Sequence, residues 1–339
     1  MNIPVSQGSL VSVIIPVKNG NDTLEACLRS VHRSYYTNYE VLVVDDHSTD
    51  DSAKTALRNN CQLISLTDGR GANAARNFGA GRARGDIFLF IDADIIIGRE
   101  TILEIVESLD QGDVDAVVGI YTAKHRHESF VSQYKNLWVR YSYMKSPPAI
   151  DWLFGSISGI RRAAFEQLGG FNTDLLARHG HDDIELGKRF SLAQLSIRLN
   201  MDIEVEHLKQ YTIASFLGNE FLRSFGFAQL ATSLGETTAS LRRGFANVSA
   251  SFVLSTLLAL LLLCAVVADI AGLIPRWSTY AVAGCYLLLN IRFLNYLEQV
   301  RGLFAMIVMI PFLFIDHLIC FVGSMLGVLR GLVKKPHDS

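Results

Sequence analysis

From Gly244 to Ala268 the chain runs 25 residues without a charge and includes the string Leu257-Leu-Ala-Leu-Leu-Leu-Leu-Cys-Ala-Val-Val-Ala268. About 20 apolar residues suffice to cross the hydrocarbon core of a bilayer. This segment therefore predicts a membrane-spanning helix and constrains everything around it. Trp277 to Ile291 is a second apolar run, of 15 residues, between Arg276 and Arg292. Gly302 to Leu329 is a third, interrupted by Pro311 and by Asp316-His317, and reads either as one long tilted helix or as a kinked re-entrant hairpin. Charge divides the chain at the same place. Residues 211–339 hold nine Lys/Arg against six Asp/Glu, which leaves 22 against 27 in residues 1–210. The expected organisation is a soluble domain over 1–210, amphipathic interfacial helices over 211–245, two to three spans over 246–330, and a basic tail over 331–339. A net charge of −2 offers no electrostatic footprint for nucleic acid.

The five cysteines, at 27, 61, 264, 285 and 320, form no CxxC pair. They support neither a disulfide framework nor a zinc site, and favour a reducing compartment. The opening MNIPVSQGSL lacks a basic and an apolar signal region, so the front domain is expected to stay in the cytosol.

In that front domain, short β-branched runs alternate with amphipathic helical patterns. Val11–Val17, Tyr39–Val44, Gln62–Leu66, Asp86–Ile91 and Val114–Ile120 read as strands, and Leu24, Cys27, Leu28 and Val31 mark a helix face. This pattern predicts an α/β fold with a parallel sheet covered on both faces. Ligands of such sheets bind beyond the carboxyl ends of the strands. Two of those ends carry paired carboxylates, Asp45-Asp46 and Asp92-Ala-Asp94.

Carboxylates at i and i+2 past a buried strand can both reach a hard divalent cation shared with a diphosphate; the alternative is a solvated turn. A strand-end carboxylate at Asp45 suits ribose hydroxyls or a base N–H, whereas Ser48-Thr-Asp-Asp51 reads as a helix cap. Gly69-Arg-Gly71 permits close backbone approach, and Arg70 and Arg76 suit a diphosphate, or are exposed arginines on a helix. Asp182, Asp183 and Glu185 open a helix carrying Leu186 and Phe190. Acids there are either partners of the helix dipole or a general base aimed at a hydroxyl. His207, after Ile203–Glu206, reads as a metal ligand or a rim histidine.

In order, Val13-Ile-Ile-Pro-Val17, Val43-Val-Asp-Asp-His-Ser-Thr-Asp50, Gly71-Ala-Asn-Ala-Ala-Arg-Asn-Phe-Gly79, Asp92-Ala-Asp94, Gly169-Gly-Phe171 and Asp182-Asp183-Ile-Glu-Leu186 resemble the family 2 glycosyltransferases. The resemblance covers about residues 10–210. It implies a GT-A-type, Rossmann-like nucleotide-sugar-binding domain and inverting transfer from a nucleoside diphosphate sugar. It also implies Asp183 as catalytic base, and Pro16, Asp45, Asp46, Arg76 and Asp92 at the nucleotide-sugar. Asp92, Asp94 and His207 would be ligands of Mg²⁺ or Mn²⁺. Asp182 stands where the family often has Glu, and Lys18-Asn19-Gly20 departs from the commoner aromatic-Asn-Glu. No Gln-x-x-Arg-Trp string occurs, which speaks against a processive polymer synthase.

The expectation is an integral membrane enzyme, in the plasma (inner) membrane if bacterial, with a lipid or lipid-linked acceptor. Phe216, Leu217, Phe221, Leu222, Phe225, Phe227 and Leu230, with Arg223, Arg242 and Arg243, predict helices lying among lipid headgroups. The alternatives are a soluble acceptor with the spans as a mere anchor, an inactive transferase-like scaffold, or a nucleotidyltransferase. The last would not need the Asp183 cluster.

Overall fold

The first strand, β1 (Val11–Val17), is buried along its whole length, as an uninterrupted apolar run demands when both faces of a sheet are covered. The computed structural model describes residues 8–112, 114–173, 181–233 and 248–333. β1 pairs in parallel with β2 (Tyr39–Asp45) and with β4 (Ile87–Ile91), and β2 pairs in parallel with β3 (Gln62–Ser65). α1 (Asn21–Val31) buries Leu24, Cys27, Leu28 and Val31, the face that its spacing predicts. α2 (Ser52–Arg58) and α3 (Ala72–Ala80) complete the parallel half.

Beyond β4 the sheet stops being parallel, which corrects the all-parallel expectation. β8 (Ile157–Arg161) runs antiparallel to β4 and to β6 (Ala116–Tyr121). β9 (Ile197–His207) is parallel to β6 but antiparallel to β5 (Ile95–Ile96) and β7 (Ala149–Ile150). The strand order is β3-β2-β1-β4-β8-β6-β9-β5, with β7 beside β9. α4 (Thr101–Gly112), α6 (Arg162–Gln167) and α7 (Asp182–Leu192) belong to this domain. The reversal delivers β9 back to the DxD strand. Ile95 faces His207 across the β5–β9 ladder, so a residue 113 positions away in sequence arrives beside Asp94.

The chain divides into two compact units, residues 1–128 with 143–209, and residues 129–142 with 210–339. The second is helical: α5 (Phe130–Met144), α8 (Ile213–Ser233), α9 (Ala250–Ile270), α10 (Arg276–Arg301) and α11 (Leu303–Val333). Among the described residues, α9 and α11 are long and apolar enough to cross a membrane. Only 22% and 28% of their most apolar windows are buried, so neither is the core helix of a soluble fold. The third apolar run is one continuous helix through Pro311, which excludes the hairpin alternative.

Packing in this unit brings its polar residues together. The Tyr134 hydroxyl donates to Asp316 Oδ2 at 2.8 Å, the Cys320 thiol lies 3.5 Å from Asp316 Oδ1, and Lys135 Nζ meets Glu220 at 2.6 Å. Glu220, Asp316 and Cys320 hold ligand atoms within 4.8 Å of one another. Lys135 already supplies the cation to Glu220, so nothing calls for a metal there. Burial of a charge is tolerated only with such a partner. The apolar set of 216–230 is divided. Phe216 and Leu230 are buried in the unit's interior, while Leu222 is exposed. Arg242 and Arg243 lie outside the described residues.

Candidate active site

Asp45 ends β2 and Asp46 follows it directly, as the strand pattern predicts, and both are buried. Asp46 Oδ1 accepts the Arg70 N–H at 2.7 Å and Oδ2 accepts the Gly71 N–H at 3.0 Å, with Lys18 Nζ at 3.5 Å. Gly71 sits at φ +90°, a conformation that favours glycine. Asp46 thus anchors the Gly-Arg-Gly turn, a job that the motif alone did not reveal. Asp45 Oδ1 accepts the Ser48 N–H at 3.1 Å. Ser48 and Thr49 do not cap α2. Ser48 Oγ accepts the Asn19 N–H at 2.9 Å, and the Thr49 N–H donates to Asn19 Oδ1 at 2.8 Å. The loops after β1 and β2 are thereby tied together, above Pro16, which pairs with Val44.

Arg70 pairs with exposed Asp68, whereas Arg76 is buried and donates to Asp92 Oδ1 at 2.7 Å. The Ser156 hydroxyl donates to Asp92 Oδ2 at 2.9 Å. Both Asp92 oxygens therefore have protein donors. Asp94 Oδ2 lies 3.3 Å from His207 Nε2. Burial pushes the Asp94 carboxyl upward, but the hydrogen bond and charge of His207 outweigh it and hold the group below its usual range. An imidazole nitrogen and a carboxylate oxygen at this separation suit two adjacent sites on one octahedral ion, whose ligands at about 2.1 Å stand about 3 Å apart. The residues present thus fit a hard divalent cation, with Asp94 and His207 as the preformed pair. Asp92 does not join that pair within 4.8 Å.

The acidic opening of α7 is also where the sequence places it. Asp183 Oδ2 accepts the Gly155 N–H and Oδ1 the Ile184 N–H, both at 2.9 Å. Glu185 is spent on Arg189, an i,i+4 pair at 2.8 Å. Asp182 is different: burial, then the charge of Asp183, raise its carboxyl to about 6. Asn73 on α3 supplies it with a hydrogen bond. Gly155 and Ser156 therefore join the two carboxylate groups. The amide of one holds Asp183, the hydroxyl of the other holds Asp92, and Arg76 Nη2 lies 3.5 Å from the Gly155 carbonyl. Asn73, Tyr121 and Ser156 were not singled out as site residues from the sequence, although Ser156 lies in the Gly155-Ser-Ile-Ser-Gly159 string.

Parallel strands ending in buried carboxylates, continued by antiparallel strands that return a histidine to the DxD loop, define a Rossmann-like domain of GT-A type. A mannosyltransferase from Pyrobaculum calidifontis, solved in complex with GDP-Man and Mn²⁺, has the same fold with a TM-score of 0.63. The two chains are 21% identical, over 90% of this chain and 87% of that one. Residues 12–169 match the profile described as glycosyl transferase family 2. Residues 136–212 match a second profile, described as the N-terminal domain of galactosyltransferase. Glycosyltransferase AglE of Haloferax volcanii is 29% identical over 57% of this chain and 65% of its own length. The undecaprenyl-phosphate 4-deoxy-4-formamido-L-arabinose transferase of Klebsiella pneumoniae is 34% identical over 30% of this chain and 34% of its own. The chain spans less than two thirds of the length of the curated relatives it matches first.

Proposed function

We propose that the protein is a membrane-bound, inverting, non-processive glycosyltransferase. It would move a sugar from a nucleoside diphosphate donor to a lipid or lipid-linked acceptor at the cytosolic face of the membrane. The observation that carries this reading is the Gly155–Ser156 bridge. A half-buried, oriented carboxylate, Asp183, thereby stands beside the Asp92–Arg76 pair at the rim of a GT-A sheet. An inactive scaffold has no use for a carboxylate that is held by two backbone amides and kept next to an intact DxD.

The acceptor oxygen attacks the anomeric carbon from the face opposite the diphosphate. Its proton passes to Asp183 as the new C–O bond forms. The bond between that carbon and the diphosphate oxygen breaks, and the diphosphate leaves with the electron pair. Charge builds on the leaving oxygen, so fixed positive charge near it dominates the rate. Asp94 and His207 would hold Mg²⁺ or Mn²⁺, which supplies Lewis-acid stabilisation of the leaving diphosphate. The ion and the nucleotide-sugar reported with the Pyrobaculum neighbour support this assignment. The Klebsiella relative, named for a lipid phosphate, and the two long apolar helices support a membrane-borne acceptor.

The test uses the full chain in lipid, with a panel of nucleotide-sugars. Metal-dependent release of nucleoside diphosphate, coupled to glycosylation of a polyprenyl-phosphate or glycolipid fraction, is expected. Asp94→Asn should abolish both, since a neutral amide is a poor ligand for a hard cation. Wild-type turnover by this variant at limiting Mn²⁺ would refute the metal assignment. Equal turnover with water-soluble acceptors in the absence of lipid would refute the acceptor class.

A further inference from the structure

Tyr121 ends β6 and plays no part in the chemistry above, yet it touches His207 of the cation pair and, through Ser156, reaches the neighbouring Asp92. Its ring lies flat on the His207 imidazole, with centroids 4.6 Å apart and planes 9° from parallel. Its hydroxyl lies 2.8 Å from Ser156 Oγ. Ser156 has one proton and spends it on Asp92 Oδ2, so Tyr121 must donate to Ser156. A directed chain results, from Tyr121 O–H to Ser156 O–H to the Asp92 carboxylate. Both hydroxyl-bearing residues are buried, Tyr121 at 5% and Ser156 at 6% exposure. Phe154, with its ring centroid 4.9 Å away, packs against the tyrosine and fixes its plane.

We propose that Tyr121 is a positioning residue for the cation site, which holds His207 through its ring face and, through the Ser156 hydroxyl, the Asp92 carboxylate that neighbours the Asp94–His207 pair. This rests on the reading of Asp94 and His207 as ligands of a divalent cation. The physical need is clear. An imidazole coordinates only along its ring plane, so a residue that fixes that plane fixes the direction of the Nε2 lone pair. Asp92 accepts from Arg76 on one oxygen and from Ser156 on the other, so the two donors together fix how the carboxylate stands beside the ligand pair. Partners of this outer kind typically govern metal affinity by roughly 10- to 100-fold.

The experiment titrates Mn²⁺ into purified full-length protein, alone and with GDP or UDP present, following free Mn²⁺ by electron paramagnetic resonance. Tyr121→Phe keeps the stacking and removes the hydroxyl; Ser156→Ala breaks the same chain one link further on. Each should weaken Mn²⁺ binding by roughly tenfold, and Tyr121→Leu, which also frees the imidazole, should approach 100-fold. Because the two hydroxyls act in series, the Tyr121→Phe/Ser156→Ala double variant should bind Mn²⁺ no more weakly than either single one. Melting temperatures of Tyr121→Phe and Ser156→Ala should stay near wild type, which separates positioning from a merely structural role. Mn²⁺ affinities within twofold of wild type in those two variants overturn the proposal, whatever the fate of Tyr121→Leu. A wild-type protein that takes up no Mn²⁺ under any of the three conditions overturns the cation reading and this proposal together. That outcome differs from the first, in which wild type and variants all bind.

Discussion

At the residue scale the two neighbouring aspartates at the start of α7 carry different work. Asp183, the proposed base, is fixed by two backbone N–H donors. Asp183→Asn should lower kcat by roughly 10²–10⁴ while donor affinity, read by thermal stabilisation, stays the same. Equal loss of donor binding would move Asp183 to the donor side. Asp182 is the tuned neighbour, with its carboxyl raised to about 6 by burial and by Asp183. Its folded value lies above the unfolded one, so the stability that it contributes is present at low pH and lost as pH rises through about 6. Asp182→Asn should therefore raise the melting temperature at pH 7.5 and leave it little changed near pH 4. Removing one of two like charges also lowers the basicity of the other, so the acid limb of the rate profile should shift to lower pH. A limb that does not move would show that the pair is not coupled. Legibility varied residue by residue. Asp92 and Asp94 are readable because strand and carboxylates are contiguous. Tyr121 is not, since a tyrosine closing a buried strand has no local signal of what its hydroxyl meets 35 positions away at Ser156.

At the element scale, the parallel strands β1, β2 and β4 were legible because each is a largely buried apolar run next to a helical pattern, and β3 because it closes the same alternation. The antiparallel pairings of β8 and β9 were not, although Ile203–Glu206 reads as strand-like, because direction is decided by non-local pairing that periodicity does not encode. The same holds for α8. Its aromatics suggested a helix lying among headgroups, but its partner is α11. Gly323, Gly327 and Gly331 recur every four residues and form one stripe along α11, where α8 approaches backbone to backbone. A Cβ at Gly327 would lie 2.2 Å from the Phe225 carbonyl oxygen, and one at Gly323 would lie 2.6 Å from that of Phe221. Small residues at four-residue spacing are the usual means of close helix approach in lipid. Gly327→Leu should force the two helices apart and cost about 1–3 kcal/mol or more, seen as a lower melting temperature in detergent. Gly284→Leu on α10 is the matched control, since nothing lies within 4 Å of the position its Cβ would take. If the two variants melt alike, the seam is not tight.

At the scale of the whole molecule, the helical unit determines how many times the chain must turn. The Ser255 hydroxyl donates to Asn290 at 3.2 Å and the Thr279 hydroxyl to the Ala265 carbonyl at 3.3 Å. As one helix ascends the other descends, so α9 and α10 are antiparallel. Tyr286 meets His317 at 2.7 Å across the single-residue turn at Gly302, where φ is +83°, so α10 and α11 are antiparallel too. If α9 and α11 cross a bilayer, α10 must cross between them, although it is less apolar than either. Three crossings put the turn near Leu273 on the face opposite Gly302. Counting cations does not orient this bundle. Arg292 and Arg301 mark one end, while Arg276 and Arg330 mark the other, and Arg276 lies 3.8 Å from Asp269. The proposed cytosolic domain therefore has to orient it, and labelling can read the result. In a chain with its native cysteines replaced by alanine, Leu273→Cys should react with a membrane-impermeant maleimide in intact cells. Gly302→Ser followed by Leu303→Cys should give a site that reacts only after permeabilisation. Reaction of both sites from one side would mean that α10 does not cross, and the third apolar segment would then be an anchor of a different kind.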